Sequence, residues 1–211
     1  MSLILKFAFV AICLGVALFS YFFCHTKKDW LCLVLGLSFT LLADYFLILR
    51  GNHLYGVAIF CFAHVCNILR AFNGNSSSIN QKTSSALGYA VISMALLTVF
   101  VTSLILESVI ALAGVYAFLF VINIGVNILF YRNKETRLPK RNRALVLTGL
   151  ILFALCDINV LLFNLPYYIG GPLWLTYTFP LIWVFYLPSQ GLLAISGLGS
   201  GLGGQAREQS T

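Results

Sequence analysis

The sequence is poor in charged residues and contains no stretch polar enough to form a separate soluble domain. Only 9% of its 211 residues are Asp, Glu, Lys or Arg, whereas an average soluble domain has roughly a quarter. Hydrophobic residues make up 60% of the chain, aromatic residues 15%, and the mean hydropathy is +0.95. This composition excludes a soluble globular protein and indicates an integral membrane protein.

The common catalytic and cofactor signatures are also missing. The sequence has no phosphate-binding loop, no dinucleotide-binding glycine pattern, no nucleophile elbow and no zinc-protease motif. We therefore expect no cofactor. All six cysteines lie in or next to apolar stretches without metal-ligand spacing, so we interpret them as small apolar residues rather than disulfides or zinc ligands. They are Cys13, Cys24, Cys32, Cys61, Cys66 and Cys156.

Long apolar stretches dominate the chain. A helix of about 20 apolar residues crosses the roughly 30 Å hydrocarbon layer of a bilayer. The stretch 86–131 is twice as long as one span needs, so we divide it at Glu107–Ser108. The first span is too long for a signal peptide and is followed by no cleavage pattern. The seven predicted spans cover about residues 3–24, 30–49, 53–72, 84–105, 108–131, 144–164 and 173–196.

Basic residues lie mostly on one side of these spans. With seven spans, eleven of the thirteen Lys and Arg residues fall on the same side as the loop 132–143, and only Lys6 and Arg50 fall on the other. Because cytoplasmic loops are enriched in basic residues, we predict an N-terminus outside and a C-terminus in the cytoplasm. The basic loops that give the chain its net charge of +7 then face anionic membrane lipids, and a nucleic-acid partner is not expected.

The predicted organisation is a single all-α transmembrane helix bundle. It covers residues 1–197 and is followed by a flexible, glycine-rich tail at 198–211. Nothing in the sequence indicates an obligate protein partner. We expect a multi-pass protein of a bacterial cell membrane or an equivalent cellular membrane.

A few polar residues lie inside the predicted spans. An ionised carboxylate at the bilayer centre costs about 2.5–3.5 kcal/mol, so such residues usually face the bundle interior and are often functional. Asp44 and Asp157 both lie roughly 20 Å from the cytoplasmic ends of their helices, and His64 and Tyr186 reach a similar depth from the other side. We therefore expect one polar chamber to contain these four residues. The full set is Asp44, His64, Asn123, Asn127, Asp157, Tyr186 and Gln190.

Structural roles are the alternative for each of these residues. The two aspartates and His64 are also explained as interhelical hydrogen-bonding groups. Asn123 and Asn127, four residues apart on one helix face, are more typical of packing or lining positions. A metal site made of Asp44, Asp157 and His64 is less favoured, because zinc usually recruits more than one His or Cys.

Four segments in order resemble the YhhN-type lysoplasmalogenase family of multipass membrane proteins. They are "ADYFL", "AIFCFAHVCNI", "FALCDINVLL" and "FYLPSQGLLAISG", and the likeness covers about residues 36–197. The chain has Ala43 and Cys156 before the two aspartates, where the family usually has glycine and serine.

The resemblance implies hydrolysis of the vinyl ether bond of lysoplasmalogens, with a lysophospholipid as substrate. By resemblance, Asp44 and Asp157 match the family's early and late aspartates, and His64 matches its histidine. Tyr186 and Gln190 match its terminal Tyr/Gln pair. We expect both aspartates and His64 to be catalytic, with His64 shuttling protons or binding phosphate, and we expect Tyr186 and Gln190 to position the headgroup or water. We add Asn123 and Asn127 as expected lining residues and expect no metal. Vinyl ether hydrolysis needs an acid and a nearby negative charge, which two carboxyl groups in different environments can supply.

A small proton-coupled transporter is the alternative from another functional class. Intramembrane Asp and His residues also form proton relays, and helices broken near Pro180, Pro188 and Gly170–Gly171–Pro172 are typical of midplane transport sites. The absence of an internal repeat counts against it.

Overall fold

The computed structural model describes residues 3–24, 26–74, 109–134, 136–169 and 172–199, and it is all-α. The helices of the described residues are α1 (Leu3–Phe19), α2 (Lys27–Asp44), α3 (His53–Asn73), α4 (Val109–Arg132), α5 (Lys140–Ile169) and α6 (Phe179–Ile195). Short 3-10 turns follow α1 at Ser20–Phe23 and precede α6 at Leu173–Thr178, and one π-helical turn, Tyr45–Leu49, extends α2.

Six helical segments in the described residues are long and apolar enough to cross a membrane. They match six of the seven predicted spans to within a few residues. The predicted span at 84–105 and the turn at Glu107–Ser108 lie outside the described residues, as does most of the predicted tail. The six segments are Ile4–Phe23, Lys27–Leu49, His53–Asn73, Leu112–Arg132, Lys140–Pro166 and Leu175–Ile195.

The outer surface of the bundle is strongly apolar. Large hydrophobic side chains are exposed along several helices, including Phe22, Val121 and Leu161. A water-soluble monomer rarely exposes so much continuous apolar surface. These faces suit contact with lipid chains, which agrees with the composition.

The described helices form a ring in chain order. Each helix from α1 to α5 packs on the next one, and α6 packs back on α1. The interior is filled mainly by aromatic and aliphatic side chains, and the Phe153 ring contacts those of both Phe60 and Phe120. The ring therefore brings residues that are far apart in sequence to a common interior.

The helix ends are fixed by specific polar contacts. Thr26 caps α2 by accepting from the backbone N–H of Asp29, and Asn52 caps α3 by accepting from that of Tyr55. Gly51, with φ of 62°, makes the sharp turn between these two helices. At the end of α4, the Arg143 guanidinium donates to the carbonyls of Phe130, Tyr131 and Asn133.

A buried ion pair joins four helices at the predicted cytoplasmic end. Arg70 of α3 is only 2% exposed and donates two hydrogen bonds to Asp29 of α2, at 2.6 and 3.0 Å. It also donates to the hydroxyl and the carbonyl of Ser196, directly after α6. Asn142 of α5 donates to the same Ser196 carbonyl. Arg70, one of the basic residues counted for the cytoplasmic side, is thus buried as a structural link rather than exposed to headgroups.

This ion pair gives a prediction for stability. Arg70→Met leaves the Asp29 carboxylate buried without its partner, which typically costs about 3–5 kcal/mol. We expect a markedly lower midpoint in thermal unfolding of the purified protein in detergent. The double variant Asp29→Leu/Arg70→Met should regain much of the loss, since no charge is then left unpaired.

The matched control is Arg132→Met, because Arg132 is exposed at the end of α4. Its free energy of unfolding should change by no more than about 0.5 kcal/mol. Equal midpoints for the Arg70 and Arg132 variants would show that the buried pair does not hold the helix ends together.

Candidate functional site

A cavity of about 290 Å³ lies inside the bundle and extends toward the predicted outer end. His53 at the start of α3, Asn164 near the end of α5 and Phe179 at the start of α6 mark its outer part. The other lining residues are Asp44, Leu47, Ile48, Val57, Phe60, Tyr116, Phe153, Cys156, Asp157, Val160, Phe163, Ile182, Trp183 and Tyr186.

Asp44 is placed in this cavity by the last turn of α2. Its side chain is 3% exposed, and its Oδ2 accepts a 2.5 Å hydrogen bond from the hydroxyl of Tyr186 on α6. Directly after Asp44 the chain forms the π-helical turn, which contributes Leu47 and Ile48 to the cavity wall. Such wide turns inside helices are frequent at functional sites.

Asp157 lies in the same cavity and has a matching partner. Its Oδ2 accepts a 2.6 Å hydrogen bond from the hydroxyl of Tyr116 on α4. Each aspartate is thus held by one tyrosine from another helix. In the described residues, no hydrogen bond to the second carboxyl oxygen, Oδ1, of either aspartate is found.

Tyr116 is a site residue that the sequence analysis missed. It lies in the apolar stretch "AGVYAFLF", where it is as readily explained as a packing residue. A buried tyrosine hydroxyl usually has a hydrogen-bond partner, so a mid-span tyrosine was the available signal. The depth of Tyr116 in the membrane, which the sequence predicts, does not show which aspartate its hydroxyl contacts.

His64 does not share the chamber expected for it. Its ring is fully buried and packs against Phe120, Tyr116 and Phe153, with centroid distances of 4.5, 4.9 and 5.7 Å. The expectation of one chamber with four members is therefore corrected: the cavity lining includes Asp44, Asp157 and Tyr186 but not His64. These aromatic side chains enclose the imidazole.

Two asparagines fix the orientation of His64. The Asn127 amide donates to Oδ1 of Asn123 at 2.9 Å, which leaves the Nδ2 of Asn123 to donate to Nδ1 of His64 at 3.0 Å. Nδ1 is then an acceptor, so a neutral ring has its proton on Nε2. In the described residues that nitrogen has no hydrogen-bond partner. Asn123 and Asn127 act on the histidine and, like it, do not line the cavity.

Gln190 also lies away from the cavity lining. It is fully buried one turn after Tyr186 on α6, and its amide donates weakly to the neighbouring Ser189 hydroxyl at 3.5 Å. Its carbonyl oxygen has no partner among the described residues. Headgroup binding by Gln190 therefore stays a prediction from the sequence.

The metal alternative required Asp44, Asp157 and His64 to converge. The described residues contain no group of three His, Cys, Asp or Glu side chains arranged to hold a metal ion. His64 instead uses its Nδ1 to contact Asn123. All six cysteines are free thiols in the structure.

Comparison with known proteins gives one result. The model of the YhhN family matches residues 1–197, nearly the whole chain. No curated protein and no solved structure matches the sequence.

The asparagine pair gives a prediction for the protonation of His64. We expect a neutral His64 with its proton on Nε2, because Asn123 donates to Nδ1. Nitrogen NMR of protein labelled with ¹⁵N-histidine checks this, and His64→Gln identifies the signal among the three histidines. A proton on Nδ1 would contradict the assigned direction of the hydrogen bonds.

Proposed function

The chain belongs to the YhhN family, and from this premise we propose that it is an intramembrane hydrolase of lysoplasmalogen-like lysophospholipids. It cleaves the vinyl ether bond and releases a fatty aldehyde and glycerophosphoethanolamine or glycerophosphocholine. The observation that carries the proposal is the pair Asp44 and Asp157, which come from different helices and line one largely apolar cavity. Family membership alone does not name the reaction.

The reaction needs one proton donor and one negative charge. Protonation of the vinyl ether at its β-carbon gives an oxocarbenium ion. Water adds to the carbon next to the ether oxygen and loses a proton, and the hemiacetal then collapses to aldehyde and alcohol. The proton used in the first step is regained in the second, so the net change is addition of one water molecule.

The two aspartates suit these two roles. A carboxyl group withdrawn from water favours its neutral, proton-donating form, whereas hydrogen bonds to a carboxylate favour the charged form. The charged partner stabilises the cation and accepts the proton of the attacking water. Glycosidases use a pair of carboxyls for a similar cationic transition state, although this parallel is one of chemistry and not of fold.

The two tyrosines fix the orientation of the aspartate carboxyl groups. Each phenol engages one oxygen, Oδ2, and leaves Oδ1 without a described protein partner. In the proposal, Oδ1 of one aspartate faces the alkenyl carbon and Oδ1 of the other faces water. Both aspartates have the same kind of partner, one tyrosine hydroxyl. The roles of acid and of charged carboxylate therefore belong to the pair, and neither role is assigned to one particular aspartate.

The remaining walls suit an alkenyl chain. Val57, Phe60 and Ile182 offer apolar surface next to the carboxyls, as is typical of sites that bury a lipid-like ligand. His64 is a positioning residue in this account, because it contacts the ring of Tyr116 rather than the cavity. A direct role for His64 as a proton shuttle or phosphate ligand stays a prediction from the sequence.

Activity of purified protein in detergent tests this proposal. Asp44→Asn and Asp157→Asn should each lower turnover of a lysoplasmalogen by about 100-fold or more, since acid–base groups contribute at least that much. Tyr116→Phe and Tyr186→Phe remove one hydrogen bond to a carboxylate and should each cost about tenfold. Mass spectrometry of the released aldehyde measures the rate.

Two controls make the result specific. The saturated ether analogue should not be cleaved, because it has no double bond to protonate. Asp29→Asn makes the same chemical change outside the cavity and should keep full activity per folded molecule. If folded Asp44→Asn and Asp157→Asn proteins keep full activity, the assignment of these residues as catalytic is wrong.

If the wild type cleaves none of these lipids, the alternative function is transport. The assay is then uptake of solutes into proteoliposomes, driven by a proton gradient.

A further inference from the structure

A buried lysine lies next to the outer part of the cavity. Lys6 of α1 is only 5% exposed, although it is near the predicted outer end of its helix. Its ammonium nitrogen lies 3.7 Å from the ring centroid of Trp183 and 4.9 Å from that of Phe179. In the part of the chain that the structure describes, Lys6 has no carboxylate partner. Among the described residues, the faces of these two aromatic rings are the contacts that stabilise the ammonium charge.

The same two rings belong to the cavity wall. Trp183 and Phe179 both line the cavity, and Lys6, which is not itself a lining residue, contacts the cavity wall through these two rings. On α6 they precede Tyr186, the partner of Asp44, by three and seven residues. At 1.5 Å per residue, the lysine therefore contacts the wall roughly 4.5–10.5 Å outward from the Tyr186 level.

Trp183 adds an unused hydrogen-bond donor. Its indole N–H is buried and has no partner among the described residues. A buried donor without an acceptor is costly, so a ligand acceptor at this point would be stabilising. The Lys6 ammonium has no carboxylate partner among the described residues, and it lies over the ring whose N–H is without a partner there. A cation and an N–H donor together favour an anionic group with several oxygen atoms, such as a phosphate.

The spacing fits the chemistry of the proposed substrate. In a lysophospholipid the three-carbon glycerol separates the ether bond at one end from the phosphate at the other. With the ether bond at the aspartates, the phosphate would reach outward along α6, toward His53 and Asn164 at the outer part of the cavity. A neutral lipid such as an alkylglycerol would leave the Lys6 and Trp183 groups unpaired.

We propose that Lys6 and Trp183 form a subsite for the phosphate of the lysophospholipid headgroup. The inference rests on the proposed function, because it takes a lipid as the ligand, but it concerns binding and not cleavage. Lys6 supplies the charge and Trp183 the directed hydrogen bond. The subsite makes the protein selective for lysolipids that have a phosphate over those that lack one.

Binding of non-cleavable lipids tests the subsite separately from the reaction. The probes are a saturated 1-alkyl lysophosphoethanolamine lipid and the matching 1-alkylglycerol, titrated calorimetrically into wild-type protein in detergent. We expect the phosphate lipid to bind at least about tenfold more tightly, as one charged hydrogen bond allows. Lys6→Met and Trp183→Phe should remove most of this preference, measured as the ratio of the two affinities.

The variants separate binding from structural anchoring. Lys6→Arg keeps the charge and should retain most of the preference, and Trp183→Phe keeps an aromatic face for the lysine but removes the N–H. Lys28→Met, at an exposed lysine at the other end of the bundle, is the matched control and should behave as the wild type. Thermal midpoints should confirm that every variant is folded.

Three results would overturn the subsite. The first is a wild type that binds both lipids equally. The second is an equal loss of affinity for both lipids in Lys6→Met and Trp183→Phe, which would mark these residues as structural. The third is displacement of the phosphate lipid by millimolar inorganic phosphate, which would identify a free anion as the ligand. Because the probes are not cleaved, none of these outcomes depends on the hydrolase activity.

Discussion

A carboxyl group inside a ring of apolar helices loses the water that would otherwise hydrate it, and it needs a protein donor in its place. Asp44 and Asp157 both meet this constraint with a tyrosine hydroxyl from another helix. Much of the helix arrangement is linked to these two hydrogen bonds, because α2 must face α6 and α4 must face α5 for them to form. The cavity between them is the space in which two such groups remain accessible to a ligand.

The two ends of the bundle have opposite characters. At the predicted cytoplasmic end, Arg70 and Asp29 form a fully satisfied, buried ion pair that fastens the helix ends. At the other end, the Trp183 N–H is buried without a hydrogen-bond partner in the described residues, and the Lys6 ammonium lies over the same ring. Satisfied buried groups stabilise a fold, whereas unsatisfied ones next to a cavity favour a ligand.

The sequence predicted those features that depend on hydrophobic length and depth. Six spans and the common cavity of Asp44, Asp157 and Tyr186 follow from the positions of apolar stretches and the rise of a helix. Depth does not determine which way a side chain faces around its helix axis. For that reason the sequence did not identify Tyr116 as the partner of Asp157. It also placed His64 in the chamber, although His64 packs against Tyr116 and Phe153 of the cavity wall and is not a lining residue itself.

The central claim is that a carboxyl group at this site donates a proton to carbon. Cleavage of a lysoplasmalogen in D₂O tests it most directly, because the acidic proton of a carboxyl exchanges with solvent. Mass spectrometry of the aldehyde should then show a single deuterium on the carbon next to the carbonyl. Aldehyde released without deuterium at that carbon would contradict protonation of the double bond, and with it the role proposed for Asp44 and Asp157.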